Sequence, residues 1–116
     1  MASPKKDDKI LIFKEKWLKL IISGKKTLEI RCQPYKAGNY WLGFGGRIYA
    51  KAELGEPICI QSDEEWAALK EQHCVVDSAS LPYKKRNFGL PIISVTKVSP
   101  TTYRHPRGAI GIVKYR

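Results

Sequence analysis

The sequence predicts an α+β domain built on a small mixed β-barrel of five or six short strands with two helices. Three observations carry that expectation. The length of 116 residues suits one hydrophobic core and leaves no room for a second. Short alternating or apolar runs recur along the chain, as half-buried strands require, while only two stretches show helical spacing. Neither helical stretch supports the repeated βαβ crossovers of a parallel sheet.

In chain order, residues 1–9 read as a polar, mobile tail and residues 10–116 as the single domain. Residues 10–13 form a short apolar strand. Over 14–23, Trp17, Leu18, Ile21 and Ile22 recur at helical spacing with lysines on the other side, and Gly24 supplies the stop. Residues 27–32 alternate, with Leu28, Ile30 and Cys32 on one face and Thr27, Glu29 and Arg31 on the other. After a loop over 34–39, residues 40–44 and 47–54 make a hairpin around Gly45 and Gly46. Ile48, Ala50 and Ala52 face one way on its second strand, and Arg47, Tyr49 and Lys51 the other. Tyr40, Trp41 and Tyr49 serve the barrel core or line a base pocket, the core being the commoner use. Ser62 followed by Glu65 is a capping box that opens a helix over 62–73, with Trp66 and Leu69 turned inward. Residues 81–90 form a basic, aromatic loop, and 91–98 and 109–115 are strands joined by 99–108.

The net charge of +10 is unevenly placed: residues 1–52 carry +8, residues 53–77 carry −6 and residues 78–116 carry +8. A folded chain with this pattern presents a basic surface and a separate acidic patch, and a basic surface attracts polyanions such as RNA or DNA. A membrane surface is a poorer partner, since no basic amphipathic helix carries the charge. No apolar run approaches the roughly 20 residues of a spanning helix. The charged N-terminal residues lack the apolar stretch of a secretory signal, so an intracellular location, cytoplasmic or nuclear, is the expectation. Cys32, Cys59 and Cys74 are odd in number and form no C-x-x-C pair, which disfavours a disulfide framework or a zinc site. No metal and no cofactor is expected.

Gly24-Lys25-Lys26-Thr27-Leu28-Glu29-Ile30-Arg31 contains G-x-K-x-x-E-x-R directly after the first helix. With Leu28 and Ile30 in the core, Glu29 and Arg31 project side by side from the opposite face, and Lys26 folds over the same surface. Glu29 accepts hydrogen bonds and orients the cations, while Arg31 offers a planar fork for a phosphate or a base edge. The plain alternative is a surface ion-pair cluster, worth little in stability. Ser23-Gly24-Lys25-Lys26-Thr27 is no phosphate loop: Lys19 stands where the earlier glycine is required, and the stretch leaves a helix when it should start one.

The motif in this position resembles the ASCH family, a branch of the PUA-like superfamily of small β-barrels. The resemblance spans residues 10–115, ending in a closing Tyr103…Gly108-Ala109-Ile110-Gly111 segment. It implies a PUA-like fold and involvement with RNA or nucleotides. Two classes of function follow. The first is a binding module for single-stranded RNA or a modified nucleotide, in a polar cleft over Gly24, Lys25, Lys26, Glu29 and Arg31. Lys84, Lys85 and Arg86, beside Tyr83 and Phe88, and Tyr103, Arg104 and Arg107 extend it, because cations meet phosphates and rings stack on unpaired bases. His105 is read as a surface residue. The second is a hydrolase, since some ASCH-like proteins resemble ribonucleases and others remove the acetyl group from N4-acetylcytidine. There the resemblance matches Lys26 to the lysine of the amidohydrolase pattern, but Glu29 replaces its threonine nucleophile, Thr27 is only the neighbour of that position, and Glu64 and Glu65 match the further catalytic glutamate by rough location alone. Read from the residues themselves, the catalytic pair is Lys26 and Glu29, with Glu29 transferring a proton. Lys26 then stabilises developing negative charge. A protein partner at the acidic helix 62–73 is a third class.

Overall fold

The computed structural model describes residues 3–109 and 111–116; Met1, Ala2 and Ile110, which fall in the expected tail and closing strand, lie outside the described residues. β1 (Lys9–Ile12) leads to α1 (Glu15–Ile22), β2 (Leu28–Arg31), the hairpin β3 (Gly38–Phe44) and β4 (Arg47–Leu54), and the two-residue β5 (Ile58–Cys59). The short helices α2 (Asp63–Ala68) and α3 (Lys70–His73), the long strand β6 (Phe88–Thr102) and β7 (Ile112–Lys114) follow. The strands run β2-β6-β4-β3-β1-β7, with β5 also on β6. β1 pairs in parallel with β3 and the other pairs are antiparallel. The result is an α+β fold: a curled mixed sheet forming a half-barrel, with three short helices. Among the described residues no helix is long and apolar enough to cross a membrane.

The element count departs from expectation for identifiable reasons. The helix expected over 62–73 breaks at Leu69 into α2 and α3. In an unbroken helix Trp66 and His73 would lie about 10 Å apart along the axis; the break lets their rings stack at 3.7 Å and 13°. The Ser62 half of the capping box forms, its side chain accepting from the Glu65 N–H, while Glu65 reaches back to the Gln61 N–H at 3.5 Å, one residue before the cap. β6 begins at Phe88 and not at 91, because β2 pairs with its first residues from Leu28↔Pro91 to Arg31↔Phe88. It continues to Thr102 because the far end of β4 supplies partners, Ile48↔Thr101 and Arg47↔Thr102. A bulge between those pairs and Ala50↔Lys97 absorbs Pro100, which has no N–H to give a ladder.

That bulge also overturns one face assignment. Ile48 packs with Ile10, Trp41, Tyr103 and Val113 on one side of the sheet. Ala50 and Ala52 pack on the other, with Leu11, Leu18 and Ile21; the irregularity in the ladder shifts the two-residue period between them. The tail boundary moves too: Lys9 is the first residue of β1 and pairs with Lys114, the Asp7 N–H donates to the Tyr115 carbonyl, and Asp8 accepts from Trp41 Nε1 at 3.0 Å. A third apolar cluster joins Leu28 and Ile30 to Ile60 and Trp66, docking α2 on the back of β2. Gly89 of β6 makes room for the Leu28 side chain in this cluster, since a Cβ there would lie 2.9 Å from Leu28 Cδ1.

Candidate functional site

α1 ends at Gly24, whose φ of +84° suits a residue without a side chain. Its N–H donates to the Ile21 carbonyl and the Lys26 N–H to the Leu20 carbonyl, while the Thr27 N–H donates to Gln72 of α3. The chain is thereby turned so that Lys26 points under α1 and not into solvent. Its ammonium donates to the His73 carbonyl, lies 3.7 Å from Glu29 Oε1 and sits 4.8 Å from the Trp17 ring centroid. On β2, Arg31 Nε donates to Glu29 Oε2 at 2.6 Å and Arg31 Nη2 to the Ile12 carbonyl at 2.7 Å. The guanidinium lies 4.8 Å over the Phe13 ring.

Lys26 is 2% exposed and Glu29 5%, so the three motif side chains are not a surface ion-pair cluster. They line a cavity of about 290 Å³. Phe13, Lys14 and Trp17 from the β1–α1 region and Val75, Pro82 and Tyr83 from the segment after α3 line it with them. Burial pushes the Lys26 ammonium below the ordinary lysine range, with Glu29 opposing the shift. The carboxylate stands between two cations, and with Lys26 and Glu29 buried the loss of Glu29 would leave the Lys26 charge uncompensated away from water.

The cavity wall over 74–83 is held by two buried polar residues. His73, 1% exposed, receives the Val75 N–H at Nδ1 and bonds the Trp66 carbonyl through Nε2, each at 2.9 Å. Those partners specify a neutral ring protonated on Nε2. Burial pushes the His73 pKa below 6.5. The unfolded chain therefore takes up a proton that the folded chain refuses, so stability falls as pH drops below about 6.5. The imidazole signals of His73 in a nuclear magnetic resonance titration are expected to move with a midpoint below 6.5, and a midpoint above it would contradict this account. Asn87, also buried, grips Tyr83 at both ends: Oδ1 accepts the Tyr83 N–H and Nδ2 donates to the Tyr83 carbonyl, each at 2.9 Å. The Tyr83 backbone is thus held at the cavity, the residue remains 39% exposed, and partial burial of its hydroxyl raises its pKa.

The expected site residues divide into three groups. Lys26, Glu29 and Arg31 meet in the cavity, while Gly24 and Lys25 are exposed at the turn beside it. Lys84, Lys85 and Arg86 are exposed on the loop that carries Tyr83, with Arg86 5.5 Å over Phe88. Tyr103, Arg104 and Arg107 are not brought to the cavity; they follow the opposite end of β6. Tyr103 is buried with Ile10 and Trp41, its hydroxyl 3.1 Å from His105 Nδ1. Tyr40 and Trp41 belong to the core, and Tyr49 packs half-buried against it. Glu64 and Glu65 are exposed on α2 and line no part of the cavity. In the acidic segment, Asp63 accepts from the Leu81 N–H and Glu65 serves the helix cap, so both also support the fold.

Phe13, Lys14, Trp17 and Val75 line the cavity without local signal that they belong to the site, whereas Tyr83, expected with the basic and aromatic loop, lines it as well. Trp17 lay in the apolar stripe of α1 and Tyr83 beside a flagged cationic run, but nothing local marks the end of β1 as a neighbour of Arg31. Among the described residues, no group of three or more His, Cys, Asp or Glu side chains could hold a metal ion.

No family model matches the chain, and no curated protein matches it. Among solved structures, ASCH from Zymomonas mobilis superposes with a TM-score of 0.73 at 13% identity, covering 97% of this chain and 90% of that one. Two single-residue variants of the same protein superpose with the same TM-score and identity, over 98% and 96% of this chain. The likeness is one of fold. The chain has the ASCH-type fold, as the G-x-K-x-x-E-x-R resemblance implied.

Proposed function

We propose that this chain binds single-stranded nucleic acid, RNA in the first instance, by seating one unpaired or modified nucleotide at the cavity over Lys26, Glu29 and Arg31. The observation that supports this best is the convergence of the three motif side chains on one concave hollow. Its volume is close to the lower limit of about 300 Å³ for ligand pockets, the scale of one nucleotide and not of a duplex. The Trp17 and Phe13 rings each have a cation over one face, whereas Tyr83 is exposed and its backbone is held at the cavity by Asn87. Tyr83 is therefore the stacking platform, and Lys84, Lys85 and Arg86 beside it suit the flanking phosphates.

Affinity for a labelled single-stranded RNA, read by fluorescence anisotropy, is expected to fall steeply between 50 and 200 mM salt as phosphate contacts release counterions. Tyr83→Ala should weaken binding roughly five- to 150-fold, corresponding to about 1–3 kcal/mol of stacking. An unchanged affinity in a folded Lys26→Ala/Arg31→Ala variant would remove the cavity from this role.

The burial of Lys26 beside Glu29 favours one second reading, a hydrolase acting on RNA or an acylated nucleoside. A charged ammonium kept from water stabilises an oxyanion more strongly than one in solvent, and the Glu29 carboxylate 3.7 Å away favours that charged form against the burial that opposes it. Incubation with N4-acetylcytidine and with labelled RNA, with and without divalent metal, separates the two. Product that disappears in Lys26→Ala supports the hydrolase, and salt-sensitive binding without turnover supports the binding module.

A further inference from the structure

The lining of the cavity sets three cations, Lys14, Lys26 and Arg31, against a single carboxylate, Glu29. Lys26 and Glu29 are almost wholly removed from solvent, where unbalanced charge interacts far more strongly than in water. Glu29 is already engaged on both oxygens, Oε1 by Lys26 and Oε2 by Arg31. The cations have capacity left: Arg31 spends Nε on Glu29 and one Nη2 hydrogen on Ile12, and a guanidinium carries further N–H donors, as an ammonium does. A hollow with surplus positive charge and unspent donors calls for an anion.

We propose that the group entering the cavity is the terminal phosphate monoester of an RNA strand or nucleotide, held by Lys26, Arg31 and Lys14, while the adjoining base stacks outside on Tyr83. The inference rests on the nucleotide reading of this site and names the part of the nucleotide it takes. A monoester brings more negative charge than an internal diester and has chain on one side only, so it can enter a concave site from its free end. Arginine forks and lysine point charges are the usual partners of phosphate oxygens. Burial lowers the Lys26 pKa, and an anion beside the ammonium would oppose that shift as Glu29 does.

A fluorescein-labelled RNA hexanucleotide in three forms, with a 5′-phosphate, with a 3′-phosphate and with hydroxyls at the unlabelled end, tests this by anisotropy on the full chain. One phosphorylated form is expected to bind at least tenfold more tightly than the hydroxyl form. That preference should disappear in Lys26→Met and shrink in Lys14→Gln, an exposed change that keeps the test open if the first variant fails to fold. Inorganic phosphate should compete and acetate at equal ionic strength should not; the reverse would overturn phosphate in favour of a carboxylate. Equal binding of all three forms would overturn the terminal-phosphate assignment while leaving RNA binding intact. Failure of every form to bind would remove both.

Discussion

Glu29→Ala is expected to lower the stability of the folded chain by about 3–5 kcal/mol, the cost of breaking a buried ionic cluster by removing one partner. Glu29 is the shared member: its loss leaves the Lys26 ammonium and the Arg31 guanidinium facing one hollow with no carboxylate between them. Removing Lys26 has a different consequence. Lys26→Met leaves the Arg31–Glu29 pair at 2.6 Å and fills the same space with an apolar chain, so a loss well below that of Glu29→Ala is expected. Urea denaturation of both variants, compared at unchanged slope, checks the order. Equal losses would mean that the cluster is not organised around Glu29.

Trp66→Ala should cost a similar amount, about 3–5 kcal/mol, as other large-to-small aromatic changes in cores do. Trp66 is 1% exposed and packs against Leu28, Ile30 and Ile60. It also stacks on His73 and donates from Nε1 to the Ser78 carbonyl at 3.0 Å. Its loss therefore leaves a void behind β2 and frees the segment that carries Val75 to the cavity. Thermal unfolding measures the first effect. Faster hydrogen exchange at the Val75 amide than global unfolding accounts for would show the second. A loss under 1 kcal/mol would show that α2 is not anchored by this ring.

Short-range features of the site were legible beforehand. The alternation of Leu28 and Ile30 with Glu29 and Arg31 set the two faces of β2. Gly24 marked the end of α1, Gly45 and Gly46 the hairpin, and Ser62 with Glu65 the start of α2. Each depends on neighbours within a few positions. The break at Leu69 escaped notice because helical spacing alone predicts that Trp66 and His73 share a face, not that their rings stack. Tyr103 appeared as a loop aromatic because its burial depends on Ile10, Trp41 and Val113, which arrive from distant strands. Tyr83 owes its position to Asn87, an isolated polar residue in a basic loop.

By itself, then, the order of residues determined that Glu29 and Arg31 stand together on one side of a strand and that Lys26 begins beside them. Tertiary structure decided that this side is covered. The Lys26 ammonium meets a carbonyl 47 positions away, and Arg31 meets Ile12, 19 positions away. A two-residue period tells which way a side chain faces. Only the packing of α1, β1 and the 74–83 segment over that face turns it into a charged hollow in which Lys26 and Glu29 are buried.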